Sequence, residues 1–280
     1  MTTLHSALNR AICQLKPHVD LAQLDSEVLL AHVIHKNRSY LRAWHDKSLS
    51  AAQLSTFQQL INQREKGIPI AYLTQQREFW SREFKVCPDV LIPRPETELL
   101  IELCLAQLPT NKACNILDLG TGSGIIAITL AAERPLAKVI ACDYSQSALA
   151  IAKDNAQLHA IDNIIFYHSD WFKAIPHQSF DIIVSNPPYI ASDDIHLTQG
   201  DVRFEPRCAL IASEQGLGDI KTIIENAAAY LTAQGQVFIE HGYNQQLQVQ
   251  AIFQQAKYAA IMTYTDLAHL PRVTAARKSG

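Results

Sequence analysis

From about residue 95 onward, short apolar runs of strand length alternate with stretches of helical periodicity, and this alternation restricts the fold more than any other feature. The pattern predicts helices over 96–107, 123–133, 146–158, 217–231 and 244–256. Strands are predicted over 114–119, 137–142, 163–168, 180–185 and 235–240, with two terminal strands near 258–264 and 270–276. Alternation of this kind implies an α/β fold, a mainly parallel seven-stranded sheet with helices on both faces. Ligands of such sheets bind at the carboxyl ends of the strands, near the switch point of the strand order.

Residues 1–75 read differently. Leu4, Leu8, Ile12 and Leu15, then Leu21, Leu24, Val28, Leu29 and Val33, recur at three- and four-residue steps, which predicts four or five short helices. Asp20 and Ser50 stand where N-caps belong, and Pro69 is expected to follow the last helix. Over "REFWSREFKV" (77–86) the pattern changes to alternation, a β-hairpin with Trp80 and Ser81 near its turn. The expected division is a helical domain over 1–75, a hairpin linker over 76–94 and an α/β domain over 95–280. Pro88, Pro93 and Pro95 mark the join.

Composition excludes several function classes. The chain has 280 residues, 48% of them hydrophobic and 18% charged, as a globular enzyme does. Apolar runs such as "GIIAITLAA" break off well short of the ~18 residues of a membrane helix. The start, "MTTLHSALNR", lacks a secretory signal, so a cytoplasmic location is expected. Six scattered cysteines form no C-x-x-C pair, and no histidines stand at metal spacing, so no metal site is expected. Residues 1–75 carry eight Lys/Arg against five Asp/Glu, while the remainder carries sixteen against twenty-two. Neither part has the basic surface that direct nucleic-acid binding requires.

"NILDLGTGSGIIAI" (115–128) is an apolar strand, a glycine-rich turn and a helix start. Gly120, Gly122 and Gly124, with Thr121 and Ser123 between them, allow close backbone approach and leave N–H groups facing a ligand. A structural βα turn and a dinucleotide fingerprint both remain open for such a loop. Two details favour S-adenosylmethionine over NAD: the compact spacing, and Asp118 at the strand end, able to reach an ammonium group directly or through water. Asp143 ends the next strand, where a carboxylate accepts both ribose hydroxyls or, alternatively, caps the helix from Ser145. "HSDWF" (168–172) ends the third, with Asp170 placed for an adenine amine and Trp171 either for the purine or for ordinary core.

"VSNPPYI" (184–190) ends the fourth strand in residues no strand would choose. Methyl transfer to nitrogen needs in-line approach of a lone pair, which a planar –NH2 keeps delocalised. The Asn186 side-chain oxygen and the Pro187 carbonyl can take its two hydrogens and hold the nitrogen outward. Pro187 and Pro188 lack N–H donors and stiffen the loop, and Tyr189 can stack on the flat acceptor. No titrating base is required.

These residues resemble the HemK/PrmC family of protein-(glutamine-N(5)) methyltransferases. The resemblance rests on "FKVCPDVLIPRPETELL" (84–100), "ILDLGTGSGIIAI", "SDWF", "IIVSNPPYI", "GDVRFEPRCAL" (200–210), "IEHG" (239–242) and "PRVTAAR", and it covers nearly the whole chain. It implies a class I, Rossmann-like S-adenosylmethionine-dependent methyltransferase domain behind an N-terminal helical bundle and a β-hairpin linker. The implied substrate is the glutamine of the Gly-Gly-Gln loop in class I peptide chain release factors, bound by a monomer. Gly120 to Gly124, Asp143, Trp171 and Asn186 would bind cofactor, and Asn186 to Tyr189 would hold the glutamine. One departure is "DLAHLPRV", which has His269 where the family usually has glycine.

Other residues carry weaker expectations. Arg94, Glu96 and Glu98 form either a capped helix start or a lid over the cofactor, and Arg203 with Glu205 is expected to make an ion pair that positions the loop after Tyr189. Glu240 and His241 end strand five, and His241 invites a general-base role that the acceptor scheme does not need. Three rivals compete: a methyltransferase of exocyclic amines in DNA or RNA, a cofactor-binding adaptor, and an NAD dehydrogenase. The first needs a basic surface, the second has no use for Asn186 and Tyr189, and the third explains nothing about residues 186–189.

Overall fold

The structure of the protein, a computed structural model, describes residues 2–279. By their internal contacts these fall into two units: one joins residues up to Gln76 with Thr198–Phe204, and the other holds Arg77–Leu197 and Glu205 onward.

The first unit is built on five helices, α1 (Leu4–Leu15), α2 (Ala22–Val33), α3 (Arg38–Ala43), α4 (Ala51–Glu65) and α5 (Ile70–Thr74). Leu4, Ala7, Ala11 and Leu15 line one stripe of α1 and pack with Leu29, Leu30, Phe57 and Ile61 in a single core. Ser50 caps α4 through a reciprocal box, its Oγ accepting from Gln53 N–H at 3.2 Å and its N–H donating to Gln53 Oε1 at 3.0 Å. Asp20 caps nothing, because α2 starts one residue later than the pattern suggested and its N-cap is Leu21, with no side-chain bond. Pro69 does not follow the last helix but opens one: with φ −57 it is the N-cap of α5, where a missing N–H costs nothing.

The second unit opens with the hairpin, β1 (Gln76–Phe79) and β2 (Arg82–Lys85). Trp80 and Ser81 form its turn at φ 52 and 57. Then follow α6 (Thr97–Gln107), β3 (Asn115–Leu119), α7 (Ile125–Glu133), β4 (Lys138–Asp143), α8 (Gln146–Leu158), β5 (Ile164–His168) and β6 (Phe180–Ser185). A distorted turn α9 (Ser213–Gly216) leads into α10 (Gly218–Ala227), β7 (Leu231–Glu240), α11 (Gln246–Gln255), β8 (Ala259–Thr265) and β9 (Pro271–Arg277).

Seven strands form one sheet in the order β5-β4-β3-β6-β7-β9-β8. Only β9 runs against the others, pairing antiparallel with β7 and β8. This is the mainly parallel seven-stranded sheet that the alternation of strands and helices predicts. Alternate residues of the central strands feed opposite faces: Ile116, Ile182, Val184 and Phe238 join one core with α6 and α7, and Leu117, Ile183, Val237 and Ile239 join the other with α10 and α11. The chain enters the sheet at β3, runs outward to β5 and returns to β6 on the other flank, so the switch point lies between β3 and β6.

Candidate active site

Strand register assembles the site. Leu119 pairs with Cys142 on one side and Ser185 on the other, and Ser185 pairs with Ile239. The next residue of each strand therefore reaches the same edge, which sets Gly120, Asp143, Asn186 and Glu240 in a row.

At β3 the chain reverses through the glycine loop. Gly120 N–H and Thr121 N–H both donate to the Cys142 carbonyl at 2.9 Å, and Gly122 N–H donates to Asp143 Oδ2 at 2.8 Å. Gly124 is the position that sterics dictate: its φ is 87, and a Cβ there would lie 2.7 Å from Ile128 Cδ1 and 3.3 Å from Ala152 Cα. Asp118 sits beneath the loop with no exposure, accepting the Thr121 hydroxyl at 2.7 Å through Oδ2. Its Oδ1 has no hydrogen-bond partner among the described residues, and burial pushes its pKa up to about 7.

Asp143 also accepts Ser145 N–H through Oδ1 at 2.8 Å. Burial raises its pKa against these backbone donors, and each oxygen keeps a lone pair for a ligand. Ser145, not Asp143, caps α8, its Oγ accepting from Ala148 N–H. Asp170 forms an exposed pair with Lys173 at 2.7 Å. Trp171 adopts φ 49, its side chain favours the charged form of the neighbouring Asp219, and it would lie 3.4 Å from a Cβ on Gly120.

A cavity of about 390 Å³ opens along this edge. Of the expected site residues, Gly120, Thr121, Gly122, Ser123 and Asp143 line it on one side, with Asp170 and Trp171 beside them, and Asn186 and Pro188 on the other. Asp118, Gly124, Pro187 and Tyr189 are not among its lining residues. Its charged lining is Asp89, Asp143, Asp170 and Asp219 against Arg94 alone. The sequence reading missed Thr97, which lies inside the 84–100 stretch but was given no role, and Asp219, which stands in an ordinary helix turn with no motif to mark it.

Beyond β6, Asn186 Nδ2 donates to the buried Thr97 hydroxyl at 3.2 Å. The Tyr189 carbonyl accepts Gln245 Nε2–H at 3.0 Å, while Gln245 Oε1 accepts Gly242 N–H at 2.8 Å. Gly216, at φ 85, faces the same carbonyl so closely that any Cβ would clash with it. Burial, then the Glu240 charge, raises the Tyr189 pKa, which keeps the phenol neutral.

Arg203 and Glu205, the residues expected to pair, fall in different units. Arg203 lies over the Phe204 ring and donates to the Lys66 carbonyl, within the first unit. Glu205 instead receives Arg94 Nη2–H at 2.5 Å and Ile92 N–H at 3.3 Å. The segment around Arg94 is thereby pinned as one wall of the cavity. Glu98 accepts Trp80 N–H at 3.0 Å, tying the hairpin turn to α6 rather than covering a ligand.

His241 is fully buried with both ring nitrogens engaged. Nδ1 must donate to the Gly242 carbonyl at 2.9 Å, leaving Nε2 to accept the Thr274 hydroxyl at 2.8 Å. Burial lowers its pKa, so it is a neutral bridge between strand ends and does not reach the cavity. His269 takes φ 60 in a turn closed by Asp266, whose Oδ1 accepts Ala268 and Leu270 N–H.

Among the described residues no group of three or more His, Cys, Asp or Glu side chains is placed to hold a metal ion, and no helix is long and apolar enough to cross a membrane.

Residues 6–74 match the PrmC N-terminal domain family, and residues 97–202 match the methyltransferase small domain family. The chain is 47% identical over 270 residues to the release factor glutamine methyltransferase of Salmonella typhimurium, covering 96% of this chain and 97% of that one. It is 45% identical over 270 residues to the release factor glutamine methyltransferase of Escherichia coli, with the same coverage of 96% and 97%. Among solved structures, a methyltransferase from Pyrococcus furiosus aligns with a TM-score of 0.55 at 15% identity, over 81% of this chain and 100% of that one, which is a likeness of fold.

Proposed function

The chain belongs to the release factor glutamine methyltransferase family, and on that premise we propose that it transfers a methyl group from S-adenosylmethionine to the side-chain amide nitrogen of the Gly-Gly-Gln glutamine in class I peptide chain release factors. The observation that carries the chemistry is the Asn186 amide, which lines the cavity and is anchored by its nitrogen to Thr97, so that its oxygen would be the atom offered to a substrate.

The residues present suit the cofactor. Four aspartates against one arginine make the cavity favourable for a cation and poor for the pyrophosphate of a dinucleotide. The orphaned Oδ1 of Asp118 wants a donor, which an ammonium group or its bound water would provide. Asp143 would accept the ribose hydroxyls, Asp170 the adenine amine, and Trp171 would cover the purine or the methionine chain. Ser123 and the glycine loop would face the amino-acid end. When bound, the cofactor supplies an electrophilic methyl group on a sulfonium.

The protein's own contribution is to present the acceptor. Asn186 Oδ1 and the Pro187 carbonyl would each accept one hydrogen of the substrate –NH2, fixing the nitrogen's lone pair toward the cavity. Pro188 keeps the loop free of a competing N–H, and Tyr189 would stack on the amide plane, its backbone clamped by Gln245. The raised pKa of Tyr189 and the sequestered imidazole of His241 leave neither as a base. The methylated nitrogen, now cationic and acidic, would lose its extra proton to solvent after transfer. We assign residues 1–75 to docking of the release factor, 76–94 to the linker and 95–280 to catalysis, in a cytoplasmic monomer.

Labelled S-adenosylmethionine offered with a release factor, its Gly-Gly-Gln→Gly-Gly-Ala variant, ribosomal RNA or duplex DNA tests the reading. Label on the unmodified release factor alone supports it. Label on nucleic acid reverses it in favour of a nucleobase methyltransferase.

A further inference from the structure

Glu240 is the buried acid that the scheme above leaves without a task. It ends β7 beside Asn186, is 1% exposed, and its Oε2 has no hydrogen-bond partner among the described residues. A buried carboxyl left half-satisfied is costly, and such a group calls for an explanation. The Thr97 hydroxyl and the Asn186 amide, which bond to each other at 3.2 Å, are the neighbouring side chains that favour its charged form.

We propose that Glu240 is a positioning residue for methyl transfer: its carboxylate fixes which end of the Asn186 amide faces the cavity, directly and through the Thr97 hydroxyl. The inference rests on the reading of Asn186 given above. Thr97 alone cannot set the amide's direction, because a hydroxyl can either accept from Nδ2 or donate to Oδ1. An ionised carboxylate only accepts. It takes the Thr97 proton, so the Thr97 oxygen is left to accept from Asn186 N–H, and it repels a flipped Asn186 oxygen. Both effects leave Oδ1 outward, where it can receive a substrate N–H.

The device titrates. Burial pushes the Glu240 pKa up to about 7, opposed by Thr97, by Arg272 on β9 and by Asn186, and aided by Glu96 before α6. The Tyr189 phenol, from the loop, is the other titratable group that senses the Glu240 charge. Protonated Glu240 can donate as well as accept, so the chain of hydrogen bonds loses its direction. Transfer should therefore fall as the pH drops through about 7.

The test compares wild type, Glu240→Gln, Thr97→Val, Thr97→Ser and the Glu240→Gln/Thr97→Val double variant in single-turnover transfer to a release factor, with cofactor Kd measured in parallel. Glu240→Gln and Thr97→Val should each slow transfer roughly 10- to 100-fold, the effect of losing a charge-assisted hydrogen bond, with Kd unchanged within about threefold. The double variant should be little slower than either single one, because the two act in one chain. Thr97→Ser should recover most of the rate, and the acid limb of the pH profile should vanish in Glu240→Gln. Should Glu240→Gln fail to fold, the Thr97 pair decides: Thr97→Val as fast as Thr97→Ser overturns the inference. So does a Glu240→Gln variant with wild-type rate and pH profile, or a double variant whose losses multiply. A wild-type enzyme that leaves the release factor unlabelled defeats the underlying reading of Asn186, and the inference with it.

Discussion

At the glycine loop, the cavity wall is tied together by residues close in sequence: Thr121 bonds to Asp118 three residues away, and Gly122 to Asp143 at 21. At the Asn-Pro-Pro-Tyr loop the anchors are distant, with Thr97 89 residues from Asn186, Gln245 56 from Tyr189, and Glu205 111 from Arg94. The first wall is a local backbone device that any ligand with donors to offer can use. The second presents one oxygen in one direction, and only tertiary structure can hold it there. If the first wall binds the methyl donor and the second orients the acceptor, mutations should separate affinity from rate.

The largest separation is expected for Asn186→Ala, which should lower transfer on the order of 10²–10³-fold in single-turnover kinetics, as loss of a preorganised polar group does, while calorimetry finds cofactor Kd nearly unchanged. Tyr189→Ala should slow transfer less. Asp143→Ala should do the converse, weakening cofactor binding roughly 10- to 100-fold, because it removes charge-assisted bonds to Gly122 and Ser145 as well as to ligand, with the rate at saturation largely kept.

Two buried carboxyls sharpen the comparison through pH. Asp118 and Glu240 are raised from ordinary values of 3.8 and 4.5 to about 7, so the folded protein holds protons the unfolded chain has released. That contribution to the ligand-free protein's stability is complete below about 4 and is lost as the pH rises to about 7. A cationic ligand beside Asp118 favours its ionised form, so cofactor binding should tighten over the same interval and release a proton. Calorimetry in buffers of different ionisation enthalpy measures that release.

Backbone changes give smaller effects. Gly216→Ala should cost about 1–3 kcal/mol in denaturant unfolding and slow transfer, since φ 85 and the Tyr189 carbonyl both forbid a Cβ. Ser50→Ala, in the capping box of α4, should cost about 1 kcal/mol and leave the rate of transfer at saturation unchanged. His269→Gly should stabilise by roughly 0.5–1 kcal/mol, because glycine adopts φ 60 without strain.

The same contrast explains what could be read from the residues alone. Strands and helices of the second unit announce themselves by period, and Gly124 by the turn it must make, so the sheet and the glycine loop were legible. Asn186 was legible as a misplaced polar group after an apolar strand. Thr97 and Gln245 were not, because their importance comes from neighbours 89 and 56 residues away. Glu205 was recognised as a pairing residue, but its bond to Arg94, 111 residues away, was not legible. Asp20 failed for a smaller reason, a helix start displaced by one residue.

The central claim is that Asn186 and Pro187 grip the two hydrogens of an amide and leave its nitrogen facing the methyl donor. A crystal structure with S-adenosylhomocysteine and a Gly-Gly-Gln peptide tests it most directly. The account predicts the glutamine nitrogen about 2.7–3.2 Å from both Asn186 Oδ1 and the Pro187 carbonyl, with the sulfur in line beyond it. A glutamine bound with its oxygen toward Asn186, or with both protein oxygens turned from the sulfur, would contradict it.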